Sequence, residues 1–155
     1  MTPLPLDEVT VLRRMNGIQD ELREMKLLAA IQFTEFKSGV GFKLAQYHLH
    51  RALEGVFHIS SHILSRIPGG QPTEYKAMAR KCGELGVVDR SFAEQRLVAM
   101  AGYRNRLVHF YAEISAPEIY DIITNHLTDF DTFLFGVKQV LQAPERFGIK
   151  PKDKS

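Results

Sequence analysis

Apolar residues recur every three or four positions through most of this chain, and short glycine- and proline-bearing breakers cut the rhythm into segments. That spacing lines one face of an α-helix, whereas a half-buried strand needs strict alternation, which no window shows. From Val9 to about Phe36 the face carries Leu12, Met15, Ile18, Leu22, Met25, Ala29 and Phe33. Gly39 and Gly41 interrupt it, and from Phe42 to Ile67 it resumes with Ala45, Leu49, Ala52, Leu53, Val56, Ile59 and Ile63. Pro68-Gly69-Gly70-Gln71-Pro72 stops this second helix. Thr73 is placed to cap a short third helix to about Leu85, ending near Gly86. Ser91 with Glu94 reads as a capping box for a fourth, and Ser115 with Glu118, with Pro117 in the first turn, as one for a fifth. The fifth runs through Ile119, Ile122, His126, Phe130, Phe133, Val137 and Leu141 to Pro144. The expectation is an all-α, up-and-down bundle of about five helices, antiparallel through short loops. It is read as one domain over residues 1–155, with a core at about 8–143 and a polar, flexible tail at 145–155.

A chain of 155 residues can bury an ordinary core. No stretch approaches the roughly 18 uninterrupted apolar residues of a membrane span. The start, M-T-P-L-P-L-D-E, lacks the basic and apolar regions of a secretory signal. The single cysteine, Cys82, excludes an internal disulfide framework. A cytoplasmic location is expected by default. The formal net charge of +2 argues against a broad nucleic-acid-binding surface, so any RNA site must be a local concentration of charge.

The chemically dense stretch is R-N-R-L-V-H-F-Y, residues 104–111. If the fourth helix runs through it, Arg104 falls in the middle of an apolar stripe made by Leu97, Met100, Ala101, Leu107 and Val108, and Tyr111 would follow on that face. A guanidinium there is costly unless it is paired or opens into a cleft. The adjoining face carries Val98, Gly102, Asn105 and His109, with Asn105 and His109 one turn apart. Gly102 lets another backbone approach, which suggests a tight contact with a second helix and polar groups at the seam. Judged on spacing alone, an arginine and a histidine on a helix are more often a surface salt bridge or hydrogen-bonded pair than a catalytic site.

Three stretches resemble one family. They are Y-H-L-H-R-A-L-E-G-V-F-H-I-S-S-H-I-L on the second helix, C-G-E-L-G-V-V before the fourth, and M-A-G-Y-R-N-R-L-V-H-F-Y followed by E-I-S-A-P-E-I-Y. Residues 40 to about 141 are similar to the HEPN superfamily, specifically its HepT-like toxins. The family motif, R-x-x-x-x-H-x-Y with a polar residue after the arginine, is complete. The resemblance implies a metal-independent ribonuclease that needs no cofactor and works as a homodimer, two copies of the motif sharing one cleft. It makes Arg104, Asn105 and His109 the catalytic residues. It also implies a partner, a small MNT-type nucleotidyltransferase antitoxin that uses ATP to place AMP on the tyrosine matching Tyr111.

The chemistry is reasonable beside the resemblance. RNA cleavage needs no metal when the 2′-hydroxyl attacks its own phosphodiester; it needs a proton acceptor, a proton donor and positive charge at the phosphorus. Histidine suits either proton role, and arginine holds phosphate oxygens while staying charged. Two readings compete with the nuclease: a HEPN module that only binds a nucleotide or a transferase partner, and a bare helical dimerisation module.

Other groups are weaker. Arg51 either lines the RNA cleft or pairs with Glu54 or Glu21, and Arg106 is a second candidate RNA contact. His58 and His62, four apart with Glu54 a turn before, have zinc-ligand spacing but no third ligand, so packing or interface roles are favoured over a metal site. His48 and His50 flank Leu49 and are expected to point outward. Cys82 reads as a packing residue. Gly69-Gly70 reads as a turn. Phe33, Phe36, Phe130, Phe133 and Phe135 read mostly as core, with one or two available to stack on bases.

Overall fold

The computed structural model describes residues 5–68, 72–109 and 114–150. Its elements, in chain order, are α1 (Glu8–Ala29), α2 (Phe33–Ser38), α3 (Gly41–Arg66), α4 (Tyr75–Glu84), α5, α6 (Ala116–Asn125) and α7 (Thr128–Gln142), followed by a 3-10 turn at Pro144–Phe147. Helix α5 is composite: Arg90–Phe92, a π turn at Ala93–Leu97, then Val98–Val108. There is no strand among the described residues, and no helix there is long and apolar enough to cross a membrane.

The 26 residues of α3 form the hub, against which α1, α2, α4, α5 and α6 pack. Its expected apolar face is the buried one, from Ala45 to Ile63. On α1 the buried face is Val11, Met15, Ile18, Leu22 and Met25, while Leu12 is exposed. Helices α1 and α3 approach closely where α3 has no side chain: a Cβ on Gly55 would lie 2.8 Å from Ile18 Cγ1. Two further contacts of this kind hold the segment before α5. A Cβ on Gly83 would meet the Ala93 side chain in the π turn at 2.5 Å, and one on Gly136 of α7 would meet the Val87 carbonyl at 2.2 Å.

The helix count departs from the expected five at two places. Helix α1 ends at Ala29, not near Phe36, and the chain re-enters a helix at Phe33 after an extended Gln32. The break is held from a distance. The Tyr120 hydroxyl of α6 donates to the Ile31 carbonyl, and the Tyr120 ring packs on Phe33 and Phe36 with centroids 5.3 and 4.9 Å away. The expected last helix is two, divided at His126, which leaves helical geometry at φ −124, ψ 10. Neither glycine nor proline lies between Pro117 and Gly136 to announce that division.

The Ser115–Glu118 capping box forms as expected, both halves present, with a proline in the first turn. The other two caps differ. Thr73 is not the cap of α4; its N-cap is Glu74, with no side-chain hydrogen bond. Asp89, not Ser91, caps α5, its carboxylate accepting from the N–H groups of Ser91 and Phe92. Asp89 is better placed because the helix begins one residue before Ser91, so the serine lies inside the first turn. At the end of the described chain, Ile149 is buried and the Lys150 carbonyl accepts from Leu6 N–H. In the stretch 145–150, where the polar tail is expected to begin, Ile149 is the buried side chain, while Glu145, Arg146, Gly148 and Lys150 are exposed.

Candidate functional site

The apolar stripe of α5 ends earlier than its periodicity suggests. Leu97, Met100 and Ala101 are buried, but Leu107 is half-buried and Val108 exposed. The last turns of α5 thus emerge from the core, and Arg104 sits where they do. Its Nε donates to Glu54 Oε1 of α3 at 2.6 Å, and its guanidinium carbon lies 3.8 Å from the centre of the Tyr75 ring, the first residue of α4. The Tyr75 ring is itself fixed edge-on to Phe57, centroids 5.4 Å apart. Three helices therefore hold one cation by a charge-assisted hydrogen bond and a cation–π contact. Arg104 is 19% exposed, so this pairing is what lets the charge sit half inside the fold. Among the described residues its terminal nitrogens make one further bond, a long one of 3.5 Å from NH1 to Asn105 Oδ1. The fork that could grip a phosphate remains largely available.

Glu54 is the centre of a wider network. One turn before it His50 Nε2 lies 3.7 Å from Oε1, and one turn after it His58 Nε2 lies 3.6 Å from Oε2. Both distances are too long for hydrogen bonds, and the buried His50 Nε2 has no hydrogen-bond partner among the described residues. The other nitrogen of His58 accepts from Arg14 NH1 of α1 at 2.8 Å. An arginine can only donate, so His58 is the tautomer protonated on Nε2, the nitrogen facing Glu54. These groups line a groove of about 480 Å³ between α1 and α3, together with Glu21, Tyr47 and Arg51.

The remaining motif residues are arranged less simply. His109 is the residue after α5, in an extended conformation (φ −103, ψ 101) and exposed. It is not one helical turn above Asn105, as a continuous helix would have placed it. Helix α5 stops because the His109 N–H reaches back to the Arg106 carbonyl in a tightened last turn. Tyr111 lies outside the described residues. The tight helix contact expected at Gly102 does not occur within the chain: a Cβ there would meet nothing nearer than Lys76 Cε at 3.8 Å.

Arg51 pairs with Glu21, Nε to Oε1 at 2.7 Å, and its guanidinium lies 5.5 Å from the Tyr47 ring. The hydrogen bond to Glu21 raises its pKa. Arg106 points elsewhere, its two terminal nitrogens donating to both oxygens of Glu118 on α6 at 2.7 and 3.1 Å. His48, expected to face outward, is largely covered and donates from Nδ1 to Glu21 Oε2 at 2.6 Å. His62 Nε2 accepts from the Asp7 N–H at 3.0 Å. Cys82 is buried and its thiol is pushed up to about 11 by that burial, so it is no nucleophile at neutral pH. Phe36, Phe130 and Phe133 are core; Phe33 and Phe135 are exposed. Sequence reasoning did not find Glu54 and Tyr75 as the partners of Arg104, because both contacts bridge separate helices. The four-residue stripe His50, Glu54, His58, His62 was the available signal.

The family described as "Ribonuclease HepT-like" matches residues 18–135. No curated protein matches the chain. Two solved structures have the same fold. A chain from a crystal structure of a toxin–antitoxin with AMP-PNP aligns with a TM-score of 0.75 at 19% identity, covering 83% of this chain and 97% of its own. YutE from Bacillus subtilis, described as a cytosolic protein of unknown function, aligns with a TM-score of 0.76 at 19% identity, covering 91% and 95%. The match spans α3 to α6 whole and, with them, Arg104, Asn105 and His109. This chain belongs to the HepT-like ribonuclease family.

Proposed function

We propose that the chain is a metal-independent endoribonuclease, the toxin of a toxin–antitoxin pair. The observation that carries this reading is Arg104, held by Glu54 and Tyr75 at the emerging end of α5 with its fork available, Asn105 beside it and His109 just past the helix. Arg104 binds the non-bridging oxygens of the scissile phosphate and offsets the charge that builds there. His109 takes the proton from the attacking 2′-hydroxyl oxygen, or gives one to the leaving 5′-oxygen. The products are a 2′,3′-cyclic phosphate and a free 5′-hydroxyl. One chain brings one motif histidine; a two-fold dimer brings two, which separates acid from base. Asn105 orients His109 or the phosphate.

The partner in this reading is a nucleotidyltransferase that moves AMP from ATP to the Tyr111 hydroxyl, releasing pyrophosphate. The added phosphodiester brings negative charge and bulk close in sequence to Arg104, where it competes with RNA. The fold shared with a toxin–antitoxin structure that contains AMP-PNP supports a nucleotide-using partner.

The test is cleavage of a single-stranded oligoribonucleotide by wild type and His109→Ala in the presence of EDTA. Wild type is expected to cut the RNA, and the variant to fold normally and leave it intact. Full cleavage by the variant removes His109 from the mechanism. A wild type that cuts nothing and is harmless when produced without a partner favours a module that only binds.

A further inference from the structure

Among the described residues five arginines pair closely with a side-chain acid: Arg23 with Asp20, Arg51 with Glu21, Arg96 with Asp129, Arg104 with Glu54 and Arg106 with Glu118. Arg14 and Arg66 have no such pair among the described residues. Among the described residues, Arg14 donates to the His58 ring at 2.8 Å. Arg66 donates to the Ser65 hydroxyl at 2.6 Å and the Pro5 carbonyl at 3.3 Å. Both line a second groove of about 400 Å³, with His58, Ser61, His62 and Ser65. Among the described residues no carboxylate lines it. Two acids lie close by: Asp7, which accepts from the Thr10 N–H and hydroxyl as the cap of α1, and Glu54, 3.6 Å from His58 Nε2.

One histidine, His62, adds a donor to this patch. His62 accepts at Nε2 from the Asp7 N–H, so its proton sits on Nδ1 when neutral. Its pKa is lowered, first by burial and then by Arg66; Asp7 opposes this and Arg14 adds to it. The patch is also continuous with the motif. His58 and Arg14 line both grooves, and His58 faces Glu54, the partner of Arg104. Glu54, His58, His62 and Arg66 follow at four-residue steps along α3. At 1.5 Å per residue, Glu54 and Arg66 are about 18 Å apart along the helix, the length of roughly five stacked nucleotides.

We propose that the Arg14–Arg66 groove is a second phosphate subsite, which holds the backbone of single-stranded RNA several nucleotides away from the link at Arg104. It rests on the ribonuclease reading and extends it from one phosphate to a stretch of strand. Substrates long enough to reach the groove bind tighter than those that fill only the motif, with little preference among bases there, because its cations seat the phosphates that every nucleotide carries.

The test measures binding of a fluorescent 12-nucleotide single-stranded RNA by full-length protein carrying His109→Ala, so that the strand survives, as a function of salt. Adding Arg14→Gln and Arg66→Gln should weaken binding about tenfold and reduce the slope of log K against log salt by about 1.4, at roughly 0.7 per lost phosphate contact. Arg14→Lys with Arg66→Lys should restore the slope. Arg13→Gln with Arg80→Gln removes the same charge from exposed positions of α1 and α4 and should leave affinity and slope near the parent values. An unchanged slope in the Arg14/Arg66 variant, or an equal fall in the control, overturns the subsite even if wild type still cleaves RNA. AMP that competes equally well, with the same dependence on both arginines, overturns it in favour of a free-nucleotide site. Failure of the ribonuclease reading is a separate result, a wild type that does not cut.

Discussion

An arginine about four-fifths covered by protein stays charged, so its burial is costly unless the fold supplies a counter-ion, and for Arg104 that residue is Glu54. Removing the carboxylate leaves a half-buried cation whose remaining support is the Tyr75 ring. Glu54→Ala is therefore expected to cost about 1–2 kcal/mol, less than the roughly 3–5 kcal/mol of a fully buried broken pair because both side chains still touch water. Urea unfolding at neutral pH measures it; a loss below a few tenths would mean that the pair contributes little. Cys82 offers a second residue-scale check. With its thiol pushed up to about 11, on the order of one molecule in a thousand carries the thiolate at pH 8. Iodoacetamide should not modify the folded protein and should label Cys82 rapidly once urea unfolds it.

Between helices, the decisive features are a cap and a close approach. The Ser115–Glu118 box starts α6, and the Glu118 carboxylate also receives Arg106 of α5, so one side chain joins a cap to an interhelix ion pair. Ser115→Ala should cost about 1 kcal/mol. Glu118 has its pKa lowered from 4.5, chiefly by the Arg106 hydrogen bond, with burial opposing and the Ser115 bonds assisting. A depressed folded value means the contribution is fully present above 4.5 and is lost as pH falls through the lower folded value. The stability gap between wild type and Glu118→Gln should thus be widest near neutral pH and close on acidification below 4.5; a gap constant with pH contradicts the pairing. Where α7 crosses the segment before α5, Gly136→Ala would put a methyl group 2.2 Å from a backbone carbonyl. That overlap cannot relax by a rotamer change, so a loss of about 3 kcal/mol or more is expected in thermal or urea unfolding.

At the scale of the molecule, the end of α5 that carries the proposed site is open to solvent at Val108 and His109. His109 lies at that end, exposed, and among the described residues a Cβ on Gly102 would meet only the tip of Lys76 from α4, at 3.8 Å. A second copy against this face would supply a further wall. Sedimentation equilibrium of the full chain should then give twice the monomer mass, and a bulky Gly102→Trp variant should be monomeric and inactive while retaining its helical circular dichroism. A fully active monomer would contradict the shared cleft.

The chain's own residues determined the helical class, the buried face of α3, the α6 cap and the chemical content of the motif. Each is a matter of spacing or of groups within a few positions of one another, and local backbone physics reads such patterns directly. Tertiary packing decided the rest. It divided α1 from α2 through Tyr120, 89 residues along the chain from the Ile31 carbonyl that it bonds. It also paired Arg104 with Glu54 and Tyr75 from two other helices. Periodicity reports which face of a helix is buried but not what the facing helix brings to it. A charged residue on that face acquires its role only when the bundle closes and supplies its partner.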